Sequence, residues 1–537
     1  MNEQSMKVPL PYNEPVWAYK EGTKEWKELK AELDRQKAEP VEVPVIVGGK
    51  EIRTGKTAEL RSPHNHSLVL GTYHQAGEAE VKAAVEAAKK AWNDWSRAPW
   101  EDRAAVFLKA AELLSKPYRP VLNAATMHGQ SKTAAQAEID SACELIDFWR
   151  FNPYFMRLIW DHQPGWHSAG SWNRSEHRPL EGFVFAITPF NFTSIAGNLP
   201  TAPAIMGNVS IWKPASTAVL SGYYIMKILK EAGIPDGVVN FLPGRGSSVG
   251  DYVVNHPDFA GLHFTGSTDV FRSLWKQTAD NLYNGVYKNY PRIVGETGGK
   301  DFVMVAPDAD VESVVAALVN GAFEYQGQKC SAASRTYIPR SLWPAVKEGL
   351  EFMIKKIVVG DVTDINTHMG AVINREAFDS ITGLIGTGKK ESKVIIGGNS
   401  SSEKGWFIEP TVILTENPNS TTMENEIFGP VLTVFVYDDA KLDDTLKLLD
   451  QTSPYGLTGA IFAKDRTLIR KMSDALRFSA GNFYINDKPT GAIVGQQYFG
   501  GARASGTNDK AGSVFNLLRW TSMRTIKEKF DPVIPFV

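Results

Sequence analysis

Two residues of this chain have side chains suited to covalent chemistry. Cys330, one of only two cysteines, lies in FEYQGQKCSAASR, and Glu296 lies upstream of it in RIVGETGGK. A cysteine thiolate is a strong nucleophile, and a carboxylate that holds a water molecule can act as a general base on the thioester that forms. This pair predicts oxidation of an aldehyde to a carboxylic acid.

Other reactive side chains are interpreted as structural. Cys143 lies in AQAEIDSACELIDFWRF, where apolar residues recur at helical spacing, so we expect it in the core. His64 and His66 stand in a loop that contains proline, and the chain has no Cys/His cluster with zinc spacing. We therefore expect no bound metal ion.

The elements that position these residues are indicated by an alternation of short apolar runs with helical stretches. From Glu181 the apolar runs are GFVFAIT, NVSIWKP, GVVNFLP and GLHFTG, and a second alternation extends from about 301 to 487. Strands that are buried on both faces and joined by helices form parallel sheets. Ligands bind at the carboxyl ends of such strands.

Cofactor signals fall on the first of these sheets. LHFTGSTDVFRSLWKQ predicts a strand, a tight turn at 265–267 and a helix, whose free N–H groups could hold a phosphate. Lys213 ends the strand in IWKPAS, where its ammonium could meet ribose hydroxyls or be an ordinary strand-end charge. The glycines of LPGRGSSVG are spaced one residue too widely for a dinucleotide fingerprint, which favours a simple turn.

The remaining segments are less specific. Residues 1–60 mix proline with charge and are interpreted as an arm over a larger body, whereas 76–116 has the period of amphipathic helices. The stretch 160–180 is interpreted as irregular or a hairpin. No apolar run approaches the roughly 18–20 residues of a membrane span, and the first thirty residues contain no recognisable targeting peptide.

Composition excludes several classes of partner. The 58 Lys and Arg residues nearly balance 60 Asp and Glu among 537 residues, so no overall field favours nucleic acid or an anionic membrane. Two cysteines cannot form a disulfide framework, which fits a reducing compartment. We expect a small-molecule substrate, with neither nucleic acid nor membrane as partner.

Six motifs in order along the chain resemble the aldehyde dehydrogenase superfamily. They are TPFNF, IWKP, FTGS, ETGGK, GQKC and EIFGP. The resemblance implies an α/β fold with a Rossmann-like NAD domain, an α/β catalytic domain and a small β oligomerisation flap. It assigns 1–160 with 181–297 to the NAD domain and its N-terminal arm, 298–488 to the catalytic domain, and 161–180 with 489–537 to the flap and a C-terminal substrate loop.

Further motifs are similar to the branch of this family that acts on an amino-acid semialdehyde. They are FEYQGQKCSA, NFYINDK and GQQYFGGARASGTNDKAG. The resemblance implies NAD-dependent oxidation of L-glutamate 5-semialdehyde to L-glutamate, the second step of proline degradation. Another semialdehyde or a CoA-acylating reaction is the alternative, although Glu296 favours hydrolysis. A non-catalytic binding protein is disfavoured by the intact catalytic residues.

The resemblance also implies residue roles. Cys330 would be the nucleophile, Asn191 with the Cys330 N–H the oxyanion hole, and Glu296 the general base. The cofactor residues would be Thr188, Lys213, Gly266, Ser267, Glu426 and Phe428. The substrate residues would be Glu144, Phe192, Ser331, Gly491, Ala492 and Phe499. Burial would raise the pKa of the Cys330 thiol, whereas N–H groups or Lys329 could lower it.

Two departures from the family pattern bear on the cofactor. Many relatives have an acid three residues after the lysine, where this chain has Ser216, and many end the phosphate turn in glycine, where it has Phe271. The preference for NAD over NADP therefore follows from the resemblance alone. The family also implies a homodimer or an assembly of dimers, in the cytoplasm of a bacterium or the mitochondrial matrix of a eukaryote.

Overall fold

The computed structural model describes residues 7–530, which contain two seven-stranded sheets. The first sheet has the strand order Arg292–Glu296, Phe259–Thr265, Phe183–Ile187, Val209–Lys213, Val239–Phe241, Val45–Val47 and Lys50–Ile52. The second has the order Lys393–Ile396, Thr411–Thr415, Val431–Tyr437, Ala333–Pro339, Asp301–Val305, Thr458–Phe462 and Asn482–Ile485. These mixed sheets confirm the predicted α/β fold.

Smaller sheets and helices complete the structure. A three-stranded sheet contains Val41–Val43, Asn65–His74 and Thr57–Ser62, and two strand pairs join Ser400–Ser401 to Phe407–Ile408 and Tyr455–Gly456 to Ala502–Arg503. The α-helices of the described residues are Lys24–Ala38, Glu78–Trp95, Trp100–Ser115, Arg119–Gln130, Ala134–Ala137, Glu144–Asp161, Thr193–Ile205, Val219–Ala232, Gly246–Val254, Thr268–Tyr283, Val311–Phe323, Trp343–Ile354, Arg375–Glu391, Thr421–Glu424, Leu442–Thr452, Arg466–Ala475 and Val514–Leu518. Within 7–530, no helix has the length and apolarity needed to cross a membrane.

The core of the first sheet follows from its apolar strands. Phe183–Ile187 pairs in parallel with both Val209–Lys213 and Phe259–Thr265, and nearly all their side chains are buried. Strands covered by helices on both faces bury every side chain, which is why they appear in the sequence as continuous apolar runs. The predicted strands are confirmed, and so are the amphipathic helices expected within 76–116, which are Glu78–Trp95 and Trp100–Ser115.

The N-terminal region differs from the predicted arm. Val45–Val47 pairs antiparallel with Lys50–Ile52, and Ile46 lies opposite Phe241, so this region extends the first sheet. Strands of three residues are too short for a period of two to be recognised. Residues 7–23, before the helix Lys24–Ala38, do lie as an irregular arm over the body.

The stretch 160–180 also differs from the expectation of an irregular segment or hairpin. It begins within the helix Glu144–Asp161 and continues to the strand Ser171–Pro179, which pairs antiparallel with Thr521–Lys529. The partner strand lies near the C-terminal end of the chain, and a local sequence pattern cannot reveal such a pairing. Residues 1–6 and 531–537, which the predicted division assigns to the NAD domain and flap, lie outside the described residues.

Candidate active site

Cys330 lies in the turn between the short 3₁₀ segment Glu324–Gly327 and the strand Ala333–Pro339. Its side chain is only 8% exposed. Burial raises the pKa of the thiol well above its usual value, and the carboxylates of Asp301 and Glu296 raise it further. The turn thus presents a protected thiol whose ionisation requires a base or a change in its surroundings.

Paired glycines explain how the cysteine turn meets the ETGGK motif. A Cβ atom on Gly299 would lie 2.0 Å from the Cys330 carbonyl oxygen, and one on Gly298 would lie 2.3 Å from Glu426 Oε2. The Gly299 N–H donates to Glu426 Oε1 at 2.8 Å. Since only glycine permits these approaches, this motif brings Cys330 and Glu426 together.

Glu296 ends the strand Arg292–Glu296, beside Thr265 of the neighbouring strand. Burial raises the pKa of its carboxyl well above the usual value, whereas the Lys510 ammonium lowers it. Its Oε2 is buried without a hydrogen-bond partner among residues 7–530. A carboxylate in this setting can accept a proton from a water molecule, and it belongs to the same ETGGK segment whose Gly299 lies against the Cys330 carbonyl oxygen.

Asn191 borders the same turn from the first sheet. It follows the strand Phe183–Ile187, and its Nδ2 donates to the Gln328 carbonyl oxygen at 3.0 Å. Gln328 is fixed in turn, because its Oε1 accepts from the Ile373 N–H at 2.9 Å. An asparagine amide has two N–H donors, so one bond orients the side chain and a second donor is left for a ligand.

The predicted cofactor residues gather at one edge of the first sheet. They lie at the carboxyl ends of three adjacent parallel strands: Lys213 is the last residue of its strand, whereas Thr188 and the turn at Gly266 and Ser267 follow theirs. Ser267 caps the helix Thr268–Tyr283, whose N-terminal N–H groups form a site suited to phosphate. The Thr188 hydroxyl accepts a hydrogen bond from Nε1 of the buried Trp212 at 2.9 Å, so this side chain is also fixed to the core.

Lys213 and Glu426 are suited to hydrogen bonding with hydroxyl groups of a ligand. Burial alone lowers the pKa of Lys213, and no carboxylate of residues 7–530 counteracts it. Burial raises the pKa of Glu426 to about 7, opposed by the Gly299 N–H and Lys300. Phe428 has a left-handed backbone conformation, with φ 55°. Its ring packs edge-on against that of Phe190, with the two ring centroids 5.9 Å apart.

Phe271, one of the departures from the family pattern, has a structural explanation. A Cβ atom added to Gly295 would lie only 2.2 Å from atoms of the Phe271 ring, so the ring fills the space beside this glycine. The ring also stacks on that of Phe264, with the two centroids 5.3 Å apart. The missing side chain at Gly295 therefore accommodates a larger residue at the phosphate turn. Ser216 begins a short 3₁₀ segment after Lys213, and nothing in the structure explains the absence of an acid there.

The substrate candidates fall into two groups. Ser331 Oγ lies 2.8 Å from Thr490 Oγ1, which brings the segment with Gly491 and Ala492 to the cysteine turn. Gly491 has φ +97°, a conformation that favours glycine. The N–H of Phe499 donates to the Ala511 carbonyl at 3.1 Å.

Glu144 and Phe192 form the second group, which lies near Ser194 and the buried lysines Lys132 and Lys329. The Glu144 carboxyl accepts a hydrogen bond from Ser194, and burial raises its pKa to about 8. The Lys132 ammonium lies 4.8 Å from the centre of the Phe192 ring, and that of Lys329 lies 5.6 Å from it.

Several buried ion pairs at the site were not predicted from the sequence. Lys329 pairs with Glu324 at 3.2 Å and with Asp140 at 3.4 Å, and Asp140 also pairs with Lys132 at 2.6 Å. Lys329 thus faces these acids, and the Cys330 backbone N–H is a main group that lowers the pKa of the thiol. Asp301, which raises that pKa, directly follows ETGGK and could have been noted from its position.

Comparisons with known proteins agree with this geometry. The aldehyde dehydrogenase family model matches residues 51–526. A mitochondrial delta-1-pyrroline-5-carboxylate dehydrogenase of Dictyostelium discoideum is 52% identical over 531 residues, which span 98% of this chain and 95% of that protein.

Solved structures give the same result. A delta-pyrroline-5-carboxylate dehydrogenase of Mycobacterium tuberculosis bound with NAD is 48% identical with a TM-score of 0.95, covering 99% of this chain and 98% of that one. A 1-pyrroline-5-carboxylate dehydrogenase from Thermus with bound NAD is 35% identical with a TM-score of 0.91, covering 98% of this chain and 100% of that one. This chain belongs to the aldehyde dehydrogenase family.

Proposed function

We propose that this protein oxidises L-glutamate 5-semialdehyde to L-glutamate with NAD, in proline catabolism. The observation that carries the proposal is the grouping of Cys330, Glu296 and Glu426 around the close approach at Gly299. The relatives named above support the choice of substrate and cofactor. Opening of the pyrroline ring in water supplies the free semialdehyde.

In the first step, the Cys330 thiol loses its proton to solvent, and the Sγ thiolate attacks the aldehyde carbon, so that an alkoxide develops on the aldehyde oxygen. The free N–H of Asn191 and the Cys330 backbone N–H are proposed to donate to that oxygen, as an oxyanion hole. The existing bond from Asn191 to Gln328 holds the amide in place before the substrate arrives. Preformed donors of this kind stabilise the charge without reorganising.

Loss of a hydride from the substrate carbon converts the adduct into a thioester on Cys330, and in the second step the acyl group passes from Sγ to water, with the Cys330 thiolate as leaving group. NAD, when bound, supplies the acceptor for the hydride that leaves the substrate carbon. Glu296 is proposed to take a proton from water, which attacks the thioester and releases the carboxylate product. Its Oε2 supports this role, because it makes no hydrogen bond to another group of residues 7–530 and so is not committed elsewhere.

For the cofactor, we propose that Lys213 and Glu426 hold ribose hydroxyls and that the turn at Gly266 and Ser267 holds the pyrophosphate. Thr188 and Phe428 would line the nicotinamide side. The residues fit this group, because a half-buried ammonium, a half-buried carboxyl and a capped helix N-terminus together match hydroxyls and phosphate.

Replacing Lys213 by methionine is expected to weaken NAD binding by about 10–100-fold, because a hydrogen bond to a charged group contributes roughly 1.5–3 kcal/mol. Methionine keeps the aliphatic length of the buried stem. Fluorescence titration of NAD measures the Kd. Lys276→Met, at an exposed ion pair with Asp280, is the control, and equal affinity in both variants would exclude a cofactor role for Lys213.

Lys510→Met is expected to shift the pH profile of kcat. The Lys510 ammonium favours the ionised form of Glu296, so its removal raises the pKa of that carboxyl further. Since the base acts when deprotonated, the rising limb of kcat moves to higher pH. Lys510→Arg, which keeps the charge, should retain the original limb, whereas a general fall in rate without displacement would count against this electrostatic role.

The head group of the substrate is proposed to lie between the two groups of candidate residues. The N–H groups of Gly491 and Ala492 would hold the α-carboxylate, with a hydroxyl from Ser331, and Glu144 would face the α-ammonium. Phe192 and Phe499 would contact the methylene chain. Because burial raises the pKa of Glu144 to about 8, an ammonium beside it would favour the ionised carboxylate.

A steady-state comparison of glutamate 5-semialdehyde with succinate semialdehyde, each with NAD and with NADP, tests the proposed function. We expect the highest kcat/KM for glutamate 5-semialdehyde with NAD, and glutamate as product. Faster oxidation of the second aldehyde would support the alternative, a dehydrogenase for another semialdehyde. A product formed only with CoA would instead assign an acylating enzyme.

We also propose the predicted domain division and a homodimer or assembly of dimers. The two seven-stranded sheets fall within the proposed NAD and catalytic domains. The strand pair of Ser171–Pro179 and Thr521–Lys529 exposes Trp172 and Met523, which suits a surface that adds to a partner. For a eukaryotic source the proposed location is the mitochondrial matrix, and for a bacterial source the cytoplasm. The Dictyostelium discoideum relative is named as mitochondrial, which supports the first of these.

A further inference from the structure

The N-terminal arm contacts the segment proposed to hold the substrate head group. Asn13 Nδ2 donates to the Val494 carbonyl oxygen at 2.8 Å, and Asn13 Oδ1 accepts from Gln496 Nε2 at 2.9 Å. The same Nδ2 donates to Asp147 Oδ2 at 2.8 Å. One side chain thus joins residues 491–499, here called the anchor loop, to the helix Glu144–Asp161.

The anchor loop has little room to adopt another position on this helix. Gly495 has φ +82°, and a Cβ there would lie 2.1 Å from the Phe151 ring. Val494 is buried, and Gln497 Oε1 accepts from the Ile493 N–H at 2.9 Å. The loop is therefore folded on itself and seated on the helix, with Asn13 bonding to its centre.

The arm itself is held by buried charges. Glu14 accepts from Arg119 and Arg150, each at 2.5 Å, and its N–H donates to Asp147 Oδ1 at 2.7 Å. Further along, the Trp17 N–H donates to Glu138 Oε1 at 2.8 Å. Because buried ion pairs are weakly screened, the arm gives Asn13 a fixed position from which to hold the loop.

We propose that Asn13 is a positioning residue for substrate specificity: by fixing the anchor loop, it sets the Gly491 and Ala492 N–H groups at the distance that a carboxylate-bearing aldehyde requires. The inference rests on the proposed function, since it assumes that this loop binds the α-carboxylate. Asn13 would act through Val494 and Gln496 and would touch neither substrate nor cofactor. Aldehydes without a carboxylate would not depend on it.

The test compares Asn13→Ala with the unsubstituted enzyme, using glutamate 5-semialdehyde and propanal as substrates. We expect KM for the semialdehyde to rise about tenfold, since two or more hydrogen bonds of roughly 1 kcal/mol each are lost, while kcat and KM for propanal stay nearly unchanged. Tyr19→Phe is the control: it removes a different bond of the arm, from Tyr19 to Glu138 at 2.8 Å, and does not touch the loop.

Gln496→Ala gives a second approach from the loop side, for use if Asn13→Ala does not fold. It should produce a smaller rise of KM for the semialdehyde alone. An equal loss for both aldehydes, or an unchanged KM for the semialdehyde in a folded variant, would overturn the inference while leaving the proposed function intact. Failure of the unsubstituted enzyme to oxidise the semialdehyde would overturn both.

Discussion

Replacing Cys330 by alanine is expected to lower NADH formation by roughly 10⁴-fold or more, because no other group can form the covalent intermediate. NAD binding should stay nearly intact, since the proposed cofactor residues come from the edge of the first sheet and from Glu426. Stopped-flow absorbance of NADH measures the rate, and fluorescence titration measures NAD affinity in the same variant.

Cys143→Ala is the matched control for this prediction. Cys143 is the second cysteine, and it lies against Arg119 and Glu138 away from the catalytic turn. Burial raises the pKa of its thiol, with Glu138 adding to the effect, so it is a poor nucleophile. Its loss should leave turnover in place. Substantial NADH formation by Cys330→Ala would refute the assignment of the nucleophile.

Replacing Glu296 by glutamine is expected to lower the steady-state rate by roughly 10²–10⁴-fold, the usual contribution of a general base. Hydride leaves the substrate before the thioester is hydrolysed, so the first turnover should still produce NADH. Rapid mixing should therefore show a burst approaching one NADH per active site, followed by a slow phase.

Glu416→Gln, on the exposed turn after Thr411–Thr415, is the control and should show the original steady-state rate. An unchanged steady state in Glu296→Gln would remove this carboxylate from the hydrolytic step. Loss of both burst and steady state would instead place Glu296 before hydride transfer, as a base for the Cys330 thiol.

Much of the fold could be predicted from local sequence patterns. The elements that were missed are short or are paired with distant parts of the chain. The apolar runs at Phe183–Ile187 and Val209–Lys213 were recognisable because strands buried on both faces need no polar alternation. The strands Val45–Val47 and Lys50–Ile52 were missed because three residues carry no period. The pairing of Ser171–Pro179 with the C-terminal strand depends on contacts that local sequence does not contain.

The candidate site likewise has features that could be predicted from the sequence and features that could not. The motifs with Glu296, Cys330 and Glu426 were predicted to act together, and the glycines at 298–299 supply the close approach that joins two of them. The pairing of Lys329 with Asp140 was not predicted, since it depends on how a turn and a distant helical segment pack. The contacts of Asn13 with the anchor loop join opposite ends of the chain and are visible only in three dimensions.

The central claim is that glutamate 5-semialdehyde is oxidised while bound to Cys330, and intact-protein mass spectrometry tests it most directly. Glu296→Gln mixed with the semialdehyde and NAD, then quenched in acid, should gain the mass of one glutamyl group. Peptide mapping should locate the added mass on Cys330. A burst of NADH with no added mass, or an adduct on a different residue, would contradict the account.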